Sequence, residues 1–445
     1  MIAAMCFVNA RVLTLALIAA SLKMVSANGL FGNGTGARSL GVAGADTAWS
    51  DSVLSTMNNN PAHLASLTNR VFELGGRAAF ADGFYRNSLH RRSSLQNGFG
   101  AVPEAAFGMR LSPQWAAGLS VAPQTALEAE WKFTDPPGGA DGRTSYGLQT
   151  HRSRILVLRS AAGASWSPST NFTLGASVGL LYNENELEAP YIFQSQKTLR
   201  GAKVLLDLAT SGYGWDAQAG AAWRPHPQWQ IGLSYKARAV VQTDGGADGN
   251  ASVQFANLGL GSARPDFHYD AEVVNTFPQT VSFGVSWQFH PRWRWLGQVD
   301  WINWSDSFDS LTVTLRDGNN ADLNGVVKSS GLEDHAPLNW EDRFVYRTGV
   351  EFMASEHWRW RAGYSYGRNP VPAGTLTPLT AVVMEHTLGG GVGWENPRFF
   401  VDLAYQWNPP NRESVGQSDL RSGEYSHSQV EAGIHWIGLT TGVRF

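Results

Sequence analysis

The sequence predicts an all-β fold: a fourteen-stranded antiparallel transmembrane β-barrel with an N-terminal hatch that contains short helices. Three observations carry this expectation. Six short turns each deliver an aromatic residue, apolar/polar alternation follows each turn, and long polar segments separate the strand pairs. The turns are Leu111-Ser112-Pro113-Gln114 before Trp115, Ser167 to Asn171 before Phe172, His226-Pro227-Gln228 before Trp229, His290-Pro291-Arg292 before Trp293, Ser355-Glu356-His357 before Trp358, and Glu395 to Arg398 before Phe399-Phe400. At one rim of a membrane barrel the chain reverses within a few residues, and amphipathic rings sit at headgroup level. A soluble sandwich or propeller core has no reason to place its largest side chain at the same end of each strand.

The strands follow in order. Phe172, Leu174, Ala176, Val178, Leu180 and Tyr182 form one apolar face. Trp229, Ile231, Leu233, Tyr235, Ala237 and Ala239 form another, opposite Gln230, Gly232, Ser234, Lys236 and Arg238. Trp358, Trp360, Ala362, Tyr364 and Tyr366 oppose Arg359, Arg361, Gly363 and Ser365. In a barrel the apolar rows meet lipid and the polar rows meet the lumen. The first strand is expected near Val71–Phe80 and the first loop around 81–104. Further loops are expected near 134–147, 183–200, 242–268, 306–342, 368–385 and 409–426. Six turns join twelve strands, and one strand at each end makes fourteen, an even number as closure requires. The barrel is thus assigned to residues 71–445.

At the C-terminal end Ile437, Leu439, Val443 and the terminal Phe445 share a face. A terminal aromatic fits recognition by the barrel-assembly machinery. Ala432, Ile434 and Trp436 have the opposite parity, so either a bulge lies near Trp436 or the lipid face begins at Ile437.

At the other end, Arg11, the apolar run Val12–Ala20 and the small residues Val25-Ser26-Ala27 read as a secretory signal over residues 1–27. Cleavage there would remove Cys6, the single cysteine, and with it disulfides and thiolate chemistry. It would also leave 32 basic against 37 acidic residues, which argues against a nucleic-acid partner. No later stretch offers the roughly 18 apolar residues of a spanning helix.

Residues 28–70 do not alternate, and they are assigned to a hatch inside the barrel. The glycine run from Gly29 to Gly44 precedes any strand and lacks the Lys-Ser/Thr of a phosphate loop. A helix-like run is expected over Asp46–Met57. Asn60, a good N-cap, and Pro61, suited to the first helical position, open a short helix at Asn60-Pro61-Ala62. A barrel this wide leaves an open channel unless something fills it.

The run Gly34–Gly41, Ala43–Asp46, and Asn60-Pro61-Ala62 resemble the hatch of FadL-type outer-membrane transporters. So do Val281–Trp287, Val299–Trp304, and Trp360–Tyr366 with Pro370-Val371-Pro372. The resemblance spans essentially the whole chain after the signal. It implies passive transport of hydrophobic molecules, long-chain fatty acids or hydrocarbons, across the bacterial outer membrane. It further implies that the Asn-Pro-Ala element touches a kinked third strand whose inward bend opens a lateral hole. Here that strand contains Ala122-Pro123, and a proline cannot donate to the ladder. Where the family often has a Pro-Phe-Gly-like sequence, this chain has Pro123-Gln124-Thr125.

Lumen bases that could steer a carboxylate are Lys236, Arg238, Arg359 and Arg361, although pairing with lumen acids such as Asp300 accounts for most of them. Trp49, in the hatch, is expected to face a ligand or the wall. No His-x-x-x-His spacing suggests a metal, and no cofactor is expected. The partners expected are a hydrophobic ligand, membrane lipid and the assembly machinery, for a monomer. The competing classes are a barrel lipase, for which His435 lacks an accompanying serine motif, and a general porin, which would lack a hatch.

Overall fold

Alternation becomes a wall because backbone polar groups in hydrocarbon must pair with one another, and a closed sheet lets strands do so. The computed structural model describes residues 32–380 and 382–445, and the expected signal lies outside them. Fourteen strands form the wall. They are β1 (Val71–Arg86), β2 (Ser93–Ser94 and Phe99–Arg110), β3 (Trp115–Thr134), β4 (Leu148–Ser169) and β5 (Phe172–Ile192). Next come β6 (Lys203–His226), β7 (Trp229–Lys236 and Ala239–Asn250), β8 (Asp266–Phe277 and Thr280–His290), β9 (Trp293–Ile302 and Ser310–Arg316) and β10 (Leu332–Pro337 and Arg343–Met353). β11 (Trp358–Gly367), β12 (His386–Glu395), β13 (Phe399–Ser414) and β14 (Gln429–Arg444) complete it. Neighbours pair antiparallel throughout, and β14 pairs with β1 from Val71↔Arg444 to Arg86↔Gln429, which closes the ring.

All six expected turns stand at one rim. Their aromatics gain cross-strand partners that periodicity does not reveal: Trp115 opposes Trp166, Trp229 stacks on Trp287 at 5.1 Å, and Trp293 stacks on Phe352 at 4.3 Å. The girdle thus runs from strand to strand around the rim.

At the other rim the strands outrun the expected loops. β1 continues to Arg86 instead of Phe80, and β5 to Ile192 across the segment expected as loop from 183. Ladder pairing needs only backbone, so it persists beyond the membrane where lipid no longer enforces alternation. Parity also flips within β7, where Ala239 is buried and Arg238 exposed, the reverse of the expected faces. In β14 the ladder to β1 runs without a shift, so the opposite parity near Trp436 is no bulge there. Ala432, Ile434 and Trp436 point inward, and Ile437 is the first aliphatic residue of an outward row that also holds Glu431 and His435.

The hatch lies against the inner wall. Helix α1 (Gly36–Gly41) forms inside the glycine run, and α2 (Val53–Asn58) occupies only the end of the expected Asp46–Met57 helix, because Ser52 caps it. A 3-10 helix follows at Pro61–Ser66, capped by the Asn60 side chain. Val53, Leu54, Met57 and Leu64 pack on wall residues Ala106, Ala116 and Ala161. Gly220 of β6 lies so close to Asn60 Oδ1 that no Cβ fits between them. A Gly220→Val substitution should therefore lift the Asn60 turn off the wall. The expected result is higher single-channel conductance in planar bilayers, with the heat-modifiable electrophoretic shift of the folded barrel retained.

Candidate functional site

Wall carboxylates hold the hatch by its helix starts, where backbone N–H groups lack helical partners. Glu73 accepts from Val53 N and Leu54 N at 2.9 Å each, and Glu104 accepts from Gly36 N at 3.0 Å. Below them runs a buried ion-pair network. Arg38 bridges Asp402 at 2.7 Å and Asp51 at 2.9 Å. Arg361 bridges Asp402 at 2.7 Å and Glu351 at 2.9 Å, with its Nη2 alone left without a hydrogen bond. Arg359 bridges Asp51 at 3.0 Å and Glu395 at 2.6 Å. Arg347 joins Asp300 at 2.7 Å to the Ala43 carbonyl at 3.0 Å.

The other expected site residues are placed as follows. Lys236 lies 3.8 Å from Asp216, itself paired with Arg159. Arg238 stands half-exposed at the break in β7, 3.4 Å from Asp306. Trp49 lies under the Arg294 guanidinium at 3.5 Å and packs on Leu296 of β9, on the wall. Asn60 donates to Thr47 O at 2.8 Å and Ala221 O at 3.2 Å, so the Asn60-Pro61-Ala62 element sits on β5 and β6. The group that reaches Pro123 is Arg77, which donates to Pro123 O at 3.0 Å and to Gly34 O at 2.8 Å.

The wall changes at Ala122-Pro123. Outward exposure alternates along β3 up to Val121, and from Ala122 to Ala129 no residue is exposed. The pairing to β4 shifts between Pro123 and Thr125, leaving Gln124 as the extra residue. Pairing to β2 ends at Ala105↔Val121, although β2 itself continues along β1 to Phe99↔Phe80. Contact across the seam resumes higher, where Asn97 Nδ2 donates to Glu128 Oε1 at 2.7 Å and Gln96 N to Glu130 O at 2.9 Å. The two wall strands thus part over the stretch that follows Pro123.

Inside the parted stretch lies an apolar chamber that alternation did not foretell. Ala126 and Leu127 of β3 pack with Trp304, Phe308, Trp340, Ile434 and Trp436. The segment after β11, expected as a polar loop, folds inward and adds Val371, Leu376, Val382, Val383 and Met384. Its run Val382-Val383-Met384 was the available signal. The adjoining cavity of about 230 Å³ is lined by Leu127, Ile155, Leu187, Val273, Phe308, Leu338 and Trp340, among others. A second, polar cavity of about 140 Å³ lies at hatch level, bounded by Gly34, Asn59, Arg77, Pro123, Gln124 and Asp300. Proline 123 and Gln124 belong to the lower cavity and Leu127 to the upper, so the kink stands between them.

The chamber has a roof of loops. Lys203 Nζ, fully buried, meets Asp135 Oδ1 and Glu424 Oε1 at 2.5 Å each. Glu424 and Tyr425 also line the larger cavity. Burial pushes the Glu424 carboxyl up to about 7, with Lys203 pulling the other way.

A closed barrel with a seated plug and an apolar chamber defines an outer-membrane channel for hydrophobic compounds. Over residues 17–445 the chain matches the family described as outer membrane protein transport protein (OMPP1/FadL/TodX), and it belongs to that family. Family membership makes it a transporter and not an enzyme. Among solved structures it is similar to a Pseudomonas aeruginosa FadL homologue, with 16% identity over 94% of this chain and 100% of that one and a TM-score of 0.75. It is also similar to the Ralstonia pickettii toluene transporter TbuX, with 21% identity, 93% and 99% coverage and a TM-score of 0.72. The Pseudomonas putida toluene transporter TodX gives 19% identity, 93% and 99% coverage and a TM-score of 0.74. Among curated proteins none matches.

Two outcomes follow from the charges. Arg361→Ala leaves Asp402 with Arg38 alone and Glu351 with Arg294 alone, so the loss should stay below the roughly 3–5 kcal/mol of a buried charge left without any partner. Protease sensitivity of the hatch should rise, while dodecanoate binding stays unchanged. For Glu424, the unfolded loop releases a proton between the ordinary carboxylate range and pH 7 that the folded loop keeps. Roof stability therefore falls as pH rises through that window and is greatest below it. Hydrogen exchange over 415–428, corrected for intrinsic rate, should be slower at about pH 4.5 than at about pH 8, and Glu424→Gln should flatten the difference.

Proposed function

We propose that this channel admits uncharged hydrocarbons of about one or two rings, and passes them passively from the loop-roofed cavity through the seam beside Pro123 into the bilayer. The observation that carries the reading is the coincidence of three features: an apolar chamber, a hatch below it, and a wall that parts where chamber and hatch meet. A molecule in the chamber has a polar, ion-paired floor beneath it and lipid beside it. Sideways exit never requires it to re-enter water. Residues 28–70 act in this reading as the stopper.

Charge supports a neutral cargo. Arg154 at the cavity is engaged by Glu184 at 3.0 Å and Glu186 at 2.8 Å, and Arg77, Arg347 and Lys236 at the lower cavity each have a carboxylate within 4 Å. A fatty carboxylate would lose its hydration, at a cost of several kcal/mol, without gaining a vacant cation. Arg359, Arg361, Lys236 and Arg238 serve in this reading to hold hatch and wall, not to steer a ligand. Volume points the same way, since a cavity of roughly 150 Å³ holds benzene. Burying about 200 Å² of ring surface yields about 5 kcal/mol before association costs. Binding of that strength exchanges quickly, as a passive route requires.

Deleting Gln124 should remove the extra residue, re-zip β2 to β3 and reduce uptake of naphthalene by outer-membrane vesicles about tenfold, an effect of roughly 1.4 kcal/mol. Barrel yield and heat-modifiability should be unchanged. In the same vesicles toluene should compete with naphthalene and benzoate should not. Uptake unaffected by the deletion would remove the seam from the route.

A further inference from the structure

We infer that the outer wall at the loop end of β1, β2, β3 and β13 is a binding surface for a phosphate-bearing lipid headgroup of the outer leaflet. The outward row of β1 runs Phe72, Leu74, Phe80, Asp82, Phe84, Arg86, so lipid character ends just above Phe80. At that height Phe80 touches Phe99 at 5.2 Å, and its neighbour along the ladder, His435, stacks with Trp407. These rings form the upper aromatic girdle. Four residues further, at a rise of about 3.3 Å and a tilt of about 40°, the chain is roughly 10 Å higher, at headgroup level.

Cations gather there from separate parts of the sequence. Arg92, from the first loop, and Arg412, from β13, both stack on Phe84, at 4.7 and 5.4 Å. Arg86 and Arg91 are exposed beside them, and Lys132 of β3 adjoins through its carbonyl, which accepts from Ser93 Oγ at 2.9 Å. Arg412 is bound to Glu431 at 2.6 Å, but Arg86, Arg91, Arg92 and Lys132 have no carboxylate partner among the described residues. This contrasts with the lumen, where each of the bases described above is paired. The ring beneath Arg92 and Arg412 restrains both guanidiniums before a ligand arrives, and planar guanidinium forks suit phosphate oxygens.

Exposed acids gather elsewhere on the same rim. Asp207 of β6, Asp244 and Asp248 of β7, and Asp266 and Asp270 of β8 are exposed at the loop end. The cation cluster on Phe84 stands at the corner above the parted seam between β2 and β3. A lipid held there would stand over the outer edge of that seam.

The test uses the full folded chain in dodecyl maltoside, titrated with bisphosphorylated lipid A and, separately, with the same lipid stripped of phosphate. The intact protein should bind the phosphorylated form at least about tenfold more tightly, with the preference shrinking as salt is added. The combined variant Arg86→Ser, Arg92→Ser, Lys132→Ser should lose that preference, whereas Asp244→Ser with Asp270→Ser should keep it. Circular dichroism and heat-modifiability confirm folding of each variant. Equal binding of the two lipids by the intact protein would overturn the inference. So would full retention of the preference by the folded cation variant, or its loss in the aspartate variant.

Discussion

Inside hydrocarbon, an unpaired backbone group costs several kcal/mol, so the wall can open only where something other than lipid covers it. This constraint organises the molecule. Twelve seams and the closing β14–β1 ladder hold the wall together among the described residues, and the ladder between β2 and β3 ends early, where β3 has turned inward. There Arg77 takes the Pro123 carbonyl, and the residues beyond it bury themselves in the chamber. The wall's defect is thus tied to its contents: without hatch and chamber, the bend would leave β3 groups facing nothing.

The charged interior follows from the same constraint. Arg38, Arg347, Arg359 and Arg361 each reach both the hatch or its neighbours and a wall acid, which locks the plug together with the apolar contacts of Val53, Leu54, Met57 and Leu64. Buried pairs add little net stability, yet breaking one leaves a costly lone charge, so they specify position more than they strengthen the fold. Spending the bases in this way leaves the cavity above with its cation already engaged. The ion pairs that seat the hatch lie on one side of the kink and the apolar chamber on the other.

Fold was largely legible in the chain. The six turn-plus-aromatic units needed no tertiary knowledge, because a bilayer imposes the same local demand at every reversal. Loop boundaries such as 183 were misplaced because alternation reports lipid contact and not pairing. The Arg238 face was misassigned because a break in β7 shifts the period by one, which a single sequence does not mark. The hatch helices were only half visible: Asn60-Pro61 announces its turn by capping chemistry, whereas Gly36–Gly41 helicity depends on Glu104, far away in the chain.

What sequence alone determined was therefore the solvent on each side of the wall, since side-chain period is a local property that lipid and water read directly. Tertiary structure decided the rest. Trp436, Trp340 and Met384 are distant in sequence and carry no shared motif, yet the closed ring and the infolded 371–384 segment bring them together as one chamber. Likewise, only the ladder partners of β3 reveal that its proline marks a parting of strands. Those contacts join residues too far apart for any local pattern to encode.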